Sequence, residues 1–102
     1  MNRSCGEALM HLLVAYGVDT VFGIPGEHTL ELYRGIAASG VKAVAPRNEQ
    51  GASFMADGYA RVTGKPGVCT LITGPGVTNA TTGIGQAFAD SIPMLIISSA
   101  ND

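Results

Sequence analysis

The stretch VCTLITGPGVTNATTGIGQAFADSIPMLIIS, residues 68–98, decides the fold class of this chain. Residues 68–73 have the composition of a continuous buried strand, and Gly74-Pro75-Gly76 predicts a tight turn that opens a helix. Residues 93–98 predict the next strand. Between the two strands, the residues in helical phase are Val77, Ala80, Thr81, Ile84, Ala87 and Phe88. Strand, helix and strand in this order predict a βαβ unit with parallel strands and a right-handed crossover.

The same alternation extends towards the N-terminus. A first helix is expected over 4–17 with Ser4 as its N-cap, and a third helix is expected from about Asn48. Strands are expected over 20–23 and 41–45, with the second helix between them. The apolar residues at helical spacing are Leu9, Leu12, Leu13 and Tyr16, then Leu30, Tyr33 and Ala37, then Ala52, Met55, Ala56 and Tyr59. The sequence therefore predicts an α/β fold, a parallel β-sheet with helices on both faces.

The composition favours a compact domain and excludes several classes of function. The 102 residues suffice for one domain, and 46% hydrophobic with 14% charged residues argues against disorder. The net charge is −2 and the six basic residues are scattered, which argues against a nucleic-acid interface. The sequence has neither an apolar run of membrane-spanning length nor a recognisable signal peptide. Cys5 and Cys69 lack a partner motif, which indicates reduced thiols in the cytoplasm and no metal site.

Three loop segments contain the residues suited to chemistry. They are GIPGEH (23–28), RNEQGA (47–52) and TGPGVTN (73–79), and each follows a predicted strand and opens a predicted helix. Ligands of open α/β sheets bind beyond the carboxyl ends of the strands. These segments, together with the one after the last strand, are therefore expected to border a common site.

Glu49 is the first candidate for catalysis. It is expected at the start of a helix that is rich in glycine and alanine. The helix N-terminus favours an ionised carboxylate and an apolar surrounding disfavours it, a combination that suits a group sharing a proton. The alternative, which the spacing alone favours, is a first-turn glutamate that only complements the helix dipole.

The other two loops leave alternatives open. The Gly74-Pro75-Gly76 turn with Asn79 allows a planar ligand or an anion to approach the backbone, or it only packs a helix on the sheet. It is not a Walker loop, and Asn79 stands where a dinucleotide fingerprint has its third glycine. Glu27 and His28 are either a proton-transfer pair or a helix cap beside a surface histidine. The acidic residues expected to be solvated or to cap helices are Asp57, Asp90 and Asp102.

Four collinear segments resemble one domain of a known enzyme family. They are VDTVFGIPG (18–26), RNEQGASFMADGYARVTGKPGVC (47–69), TGPGVTN (73–79) and ADSIPMLIISS (89–99). Together they resemble the N-terminal pyrimidine-binding (PYR) domain of thiamine-diphosphate (ThDP) enzymes of the acetolactate synthase, pyruvate oxidase and 2-oxo-acid decarboxylase family. Within that family, segments 21–35 and 52–73 are most similar to guanidino-oxopentanoate-type decarboxylases. Residues 1–102 are then expected to be a partial PYR domain.

The resemblance implies a role for Glu49 and an activity on 2-oxo acids, by decarboxylation or acetolactate-type carboligation. Glu49 matches the catalytic glutamate whose carboxyl bonds N1′ of the cofactor's aminopyrimidine and so activates it. The residues implied to line the cofactor are Pro25, Gly26, Thr73, Pro75 and Asn79. Two positions depart from common family patterns. Asn48 stands where many relatives have histidine, and Glu27 stands where many synthases have glycine, which favours decarboxylation.

The resemblance also implies parts that these residues do not supply. PYR domains of this family are longer than this chain, and Mg²⁺ is held by a separate diphosphate-binding (PP) domain. The family's cofactor lies between the PYR domain of one subunit and the PP domain of another, which implies a homodimer or homotetramer. The isolated chain is expected to be inactive, and these residues leave open whether FAD binds. The alternatives are a non-catalytic fragment, a split-enzyme subunit that needs a PP-domain partner, and a Rossmann-like nucleotide binder.

Overall fold

The computed structural model describes residues 3–26 and 29–100 of the chain. In that part of the chain, helices and strands alternate as predicted. In chain order they are α1 (Cys5–Ala15), β1 (Thr20–Gly23), α2 (Leu30–Ser39), β2 (Lys42–Val44), α3 (Glu49–Thr63), β3 (Gly67–Leu71), α4 (Pro75–Ala89) and β4 (Met94–Ser98). The first strand, β1, has the predicted bounds, and the other three strands are shorter than predicted. In particular, β3 ends at Leu71, because Ile72 and Thr73 leave the strand to enter the turn before α4.

Local signals set the helix ends. The Ser4 hydroxyl caps α1 by accepting the backbone N–H of Glu7 at 3.2 Å, which confirms the predicted N-cap. Gly40 and Gly64 end α2 and α3 in the left-handed region, with φ angles of 80° and 75°. A side chain at either position would be strained, so glycine there ends the helix without steric cost.

The sheet is parallel, with the strand order β2-β1-β3-β4. Val21 pairs with Val68 and Phe22 pairs with Cys69, so neighbouring positions of β1 and β3 lie in register. Side chains alternate between the faces of a strand. Val21 and Val68 therefore join the core beneath α1 and α2, and Phe22 and Cys69 join the core beneath α3 and α4. The predicted parallel α/β sheet with helices on both faces is confirmed.

The predicted buried face of α1 is partly wrong. Leu12 and Tyr16 are 52% and 79% exposed, whereas Met10 and Leu13 reach the core. The reason is a close approach between α1 and α2. A Cβ on Gly6 would lie 2.6 Å from the backbone carbonyl carbon of Glu31, so this side of the helix contacts α2 directly. Gly6, Met10 and Leu13 then form the inner row of α1, and Leu12 and Tyr16 point outwards.

The predicted buried faces of α3 and α4 are also partly wrong, because these helices pack through small residues. A Cβ on Gly83 of α4 would overlap the Ser53 side chain of α3, so no larger residue fits at this crossing. Ser53 is fully buried, whereas Met55 is 41% exposed and Phe88 is 88% exposed. The inner rows of the two helices are Ala52, Ser53, Ala56, Asp57 and Ala60, and Gly76, Ala80, Gly83 and Ala87.

Asp57 is not solvated, which corrects the expectation from the sequence. It is 6% exposed, and its Oδ2 accepts a hydrogen bond from Nε of Arg61 at 2.9 Å. The other side of the same guanidinium contacts Asp90 at 2.6 Å, and Asp90 caps α4 as expected. Oδ1 of Asp57 has no hydrogen-bond partner among the described residues. This chain of ion pairs joins the C-terminal halves of α3 and α4, and Asp102 lies outside the described residues.

A second polar cluster joins elements near the amino ends of the strands. Asp19, which precedes β1, accepts hydrogen bonds from the hydroxyl of Tyr59 and from Lys65 Nζ at 3.2 Å. Thr20 Oγ1 donates a third bond at 3.0 Å. These hydrogen bonds hold the pKa of Asp19 at about 2. The bond from the Tyr59 hydroxyl is the largest cause, followed by those from Lys65 and Thr20.

In the described part of the chain, no helix is long and apolar enough to cross a membrane.

Two glycines of α4 provide a matched test of the helix crossing. We expect Gly83→Ala to lower the free energy of unfolding by about 1–3 kcal/mol, because the added methyl group meets Ser53 in a packed interior. Gly85 has open space around it, so Gly85→Ala should raise stability by up to about 1 kcal/mol through helix propensity. Denaturant unfolding followed by circular dichroism measures both. Equal effects of the two changes would contradict the close crossing.

The Asp19 cluster predicts a pH-dependent contribution to stability. A carboxyl whose pKa is lowered on folding stabilises the protein above its unfolded pKa and loses that contribution as the pH falls through its folded value. Asp19→Asn should therefore lower the Tm near neutral pH, and the difference from wild type should shrink between about pH 4 and pH 2. Tyr59→Phe removes the largest cause of the lowered pKa of Asp19. In that variant the stabilising contribution of Asp19 should be lost at a higher pH. A Tm difference that stays constant over this range would refute the assignment.

Candidate functional site

Glu49 is the first residue of α3, as predicted. Its position follows from Asn48, whose extended backbone and side chain form the N-cap, with Oδ1 accepting the N–H of Gln50 at 2.8 Å. Asparagine is among the residues preferred for this position. The half-buried Glu49 side chain is therefore fixed at the positive end of the helix dipole.

The N-terminus of α4 approaches Glu49 from the other side. Nδ2 of Asn79 donates a hydrogen bond to Oε1 of Glu49 at 3.2 Å. Oε2 has no hydrogen-bond partner among the described residues, and a Cβ built on Gly76 would lie 3.8 Å from it. Asn79 thus holds one oxygen of the Glu49 carboxylate. The other oxygen lies beside Gly76, which has no side chain.

Ile72 connects two of the predicted loops. A Cβ on Gly26, in the loop after β1, would overlap Cγ2 of Ile72, and a Cβ on Gly76 would lie 2.8 Å from its Cγ1. The Ile72 side chain therefore occupies the space that both glycines leave free. This contact sets the spacing between the β1 loop and the start of α4. Sequence reasoning named both glycines but not Ile72.

The turn before α4 has an unusual backbone. Gly74 has φ 72° and ψ −114°, a conformation that a residue with a Cβ rarely adopts. Pro75 follows as the first helical residue, where its missing N–H is not needed. Thr73 is bound by the residue that follows β4, because its N–H donates to Oγ of Ser99 at 3.1 Å and the two hydroxyl oxygens are 2.8 Å apart. Ser99 is a second residue that sequence reasoning did not single out.

The loop after β1 is held by its own threonine. Thr29 Oγ1 accepts the N–H of Gly26 and donates to its carbonyl oxygen, both at 3.0 Å. Thr29 is 4% exposed, and sequence reasoning missed it. Pro25 is exposed next to this clasp. Glu27 and His28, the predicted proton-transfer pair, lie outside the described residues.

Cys69 lies beneath the site and is an apolar wall rather than a reactive group. It is fully buried, and burial, assisted by the negative charge of Glu49, raises the pKa of the thiol to about 11. A thiol in that state is protonated at neutral pH and is neither a nucleophile nor a metal ligand. Over residues 3–26 and 29–100, no group of three His, Cys, Asp or Glu side chains is placed to hold a metal ion.

The predicted site residues divide into a close group and a connected group. Glu49, Gly76 and Asn79 meet directly. Gly26 contacts Ile72, which in turn contacts Gly76. The Thr73 hydroxyl forms its hydrogen bond with Ser99 rather than with Glu49. Asn79 and Pro75 are exposed, so this edge of the sheet is open on its outer side.

Several known proteins are similar to this chain in sequence. A probable 2-ketoarginine decarboxylase of Pseudomonas aeruginosa is 70% identical over 98 residues, which are 96% of this chain and 18% of that protein. The acetolactate synthase large subunit of Buchnera aphidicola is 47% identical over 96 residues, 93% of this chain and 17% of that protein. Acetolactate synthase isozyme 2 large subunit of Escherichia coli is 48% identical over 89 residues, 87% of this chain and 16% of that protein. The chain spans less than a fifth of the length of these relatives.

The family model of the thiamine pyrophosphate enzyme N-terminal TPP-binding domain matches residues 3–102, nearly the whole chain. The match includes the β1 loop, the start of α3, the turn after β3 and the end of β4. This chain belongs to the family of N-terminal TPP-binding domains of thiamine pyrophosphate enzymes.

Proposed function

We propose that this chain supplies the pyrimidine-binding side of a ThDP site in an enzyme that acts on 2-oxo acids. One observation carries the proposal. The Glu49 carboxylate has one oxygen held by Asn79 at 3.2 Å and the other beside the side-chain-free Gly76. A carboxyl presented in this way can share a proton with a ring nitrogen, which is the role proposed for Glu49 as the catalytic residue.

The residues fit the aminopyrimidine of ThDP. Gly76 leaves open the space beside Oε2 that a side chain would narrow, and the nearby Cys69 thiol is apolar and neutral. When bound, the cofactor supplies the electron sink for 2-oxo-acid chemistry. Glu49 holds or shares the proton at N1′, and Asn79 orients its carboxyl. The other residues proposed to border the cofactor are Pro25, Gly26, Thr73 and Pro75.

We propose decarboxylation as the reaction, with acetolactate-type carboligation as the alternative. The 70% identity with a probable 2-ketoarginine decarboxylase exceeds the 47% identity with an acetolactate synthase large subunit. A 2-oxo acid with a guanidino group is therefore the first substrate to assay. Glu27 and His28 are proposed proton-transfer groups near the reacting carbon, on the basis of sequence alone.

The exposed sides of α3 and α4 are suited to contact with a second protein layer. None of the 15 residues of α4 is charged, and Phe88 is 88% exposed. On the adjacent α3, Phe54 and Met55 are 42% and 41% exposed. Exposed apolar side chains on an uncharged helix favour a protein contact. We propose that the PP domain of a second subunit covers this face in a cytoplasmic homodimer or homotetramer. That domain would hold the diphosphate and Mg²⁺, and no residue of this chain is assigned to FAD.

The proposal is tested in an assembled enzyme, which we define as the Pseudomonas aeruginosa relative with its matching 98 residues replaced by those of this chain. Glu49→Gln keeps the shape of the side chain and removes its acid function. We expect hydrogen–deuterium exchange at C2 of bound ThDP to slow by about 100-fold or more, the range of general acid–base contributions. Calorimetry should still detect ThDP binding by the variant.

Glu31→Gln is the matched control. Glu31 also lies in the first turn of a helix, but its carboxylate is 51% exposed and pairs with Arg34 on the surface. It should leave C2 exchange unchanged. Wild-type exchange in Glu49→Gln, or no ThDP binding by the unmodified assembled enzyme, would refute the proposed function.

The Gly76 surface predicts a separate effect on cofactor binding. The methyl group of Gly76→Ala would meet Ile72 Cγ1 at 2.8 Å and narrow the space beside Glu49. We expect ThDP to bind about 10-fold more weakly, a cost of about 1.4 kcal/mol. Gly85→Ala, on the same helix with open space around it, should bind ThDP as wild type does. Calorimetric titration with ThDP measures the affinity of both variants. Equal affinities of Gly76→Ala and Gly85→Ala would contradict the role of Gly76.

A further inference from the structure

We propose that Ser99 is a positioning residue of the cofactor site. Its hydroxyl anchors the turn 73–76, and through that turn it sets the position of Asn79 against Glu49. The inference rests on the proposed function and adds a residue that has no place in it so far. Ser99 does not touch Glu49 and acts only through Thr73.

Ser99 forms a hydrogen bond with the last residue of β3, at the point where the chain leaves the sheet. The N–H of Ser99 donates to the carbonyl oxygen of Leu71 at 3.3 Å, which extends the β3–β4 ladder by one bond. Thr73 lies beyond the end of β3, so no strand partner accepts its N–H there. Oγ of Ser99 accepts this N–H at 3.1 Å and forms a second hydrogen bond with Oγ1 of Thr73 at 2.8 Å. Both bonds depend on a single hydroxyl group.

The turn needs such an anchor because its own residues provide few. The N-cap of α4 is Gly74, which has no side chain to accept a helical N–H. Pro75 has no N–H to donate. From within α4, the backbone N–H and the hydroxyl of Thr78 bind the carbonyl oxygens of Gly74 and Pro75 at 3.1 and 3.3 Å. The packing of Ile72 against Gly76 restrains one further side of the turn. The bonds from Ser99 restrain Thr73 directly at the start of the turn, towards β4.

The position of Asn79 depends on this turn. Asn79 lies four residues after Pro75, about one helical turn into α4, and moves with the start of that helix. Its bond to Oε1 of Glu49 measures 3.2 Å, at the long end of the range for an N–H···O bond. A small shift of the turn would therefore break this bond and release the Glu49 carboxyl from its orientation.

The alternative is that Ser99 only stabilises the fold. Ser98 provides the matched control, because it is the adjacent residue, is exposed, and its side chain makes no hydrogen bond among the described residues. A purely structural serine would change the Tm and leave the affinity for ThDP unchanged. A positioning serine changes the affinity, and a variant that keeps the hydroxyl restores it.

The experiment compares Ser99→Ala, Ser99→Thr and Ser98→Ala in the assembled enzyme. Calorimetry measures the Kd for ThDP, and amide hydrogen exchange resolved at Thr73 is measured before the cofactor is added. We expect Ser99→Ala to weaken ThDP binding by about 10-fold and to expose the Thr73 amide, since it removes two hydrogen bonds. Ser99→Thr should retain most of the affinity, and Ser98→Ala should match wild type in both measurements.

A Kd for Ser99→Ala equal to that of wild type, or an equal loss in Ser98→Ala, would overturn the inference. If Ser99→Ala does not fold, Ser99→Cys decides instead, because its thiol keeps a side chain of similar size but forms weaker hydrogen bonds with Thr73, and it should weaken ThDP binding by about threefold. Unchanged affinity there would also overturn the inference. Failure of the unmodified assembled enzyme to bind ThDP would overturn the proposed function and this inference together, which distinguishes the two failures.

Discussion

The close crossing of α3 and α4 is the contact on which the site depends. At its centre Gly83 leaves room for the Ser53 side chain, and at its far end Arg61 joins Asp57 to Asp90. The α3 backbone also lies directly on the sheet, because a Cβ on Gly67 of β3 would overlap the carbonyl oxygen of Ala56. With the middle and the C-terminal ends fixed, the N-terminal ends of the two helices converge, and the turn before α4 sets their final spacing. Their convergence is what brings Glu49 and Asn79 within hydrogen-bond distance.

The order of elements and the fold class could be read from the sequence, because periodicity, caps and turn glycines are local signals. The faces of the helices were harder to predict. Met55 and Phe88 carry more hydrophobicity than Ser53 and Gly83, yet the small pair is buried and the large pair is exposed. A helix that must approach its neighbour closely is oriented by its smallest residues. Asp57 was misjudged for a related reason, since its partner Arg61 lies one turn further along the same helix and allows its carboxylate to be buried.

Part of the candidate site was also predictable. Glu49 and Asn79 lie in loops that follow strands and open helices, where the carboxyl ends of a parallel sheet gather ligand-binding groups. The segment after β4 was expected to border the site, but Ser99 within it was not singled out, and Ile72 was missed. The roles of both residues arise from register rather than from local pattern. Leu71 pairs with Ser98 in the β3–β4 ladder, so the chain beyond β3 and the chain beyond β4 run side by side. That pairing was the signal available from the predicted βαβ unit. It would have narrowed the predicted segment to the hydroxyl residue just after β4.

The open edge of the site connects cofactor binding to assembly. A carboxylate in contact with water gains little from sharing a proton with a ring nitrogen, because water screens the charge and competes for the hydrogen bond. Glu49 is half-buried and Asn79 is exposed, so one wall of the proposed site is solvent until another protein surface covers it. The uncharged α4 begins at the same edge, which favours a protein layer there. A ligand held between two surfaces stabilises the assembled state relative to the separate parts. On the proposed function, ThDP binding and subunit contact are therefore linked equilibria, and Glu49 acts as an effective acid only where both are complete.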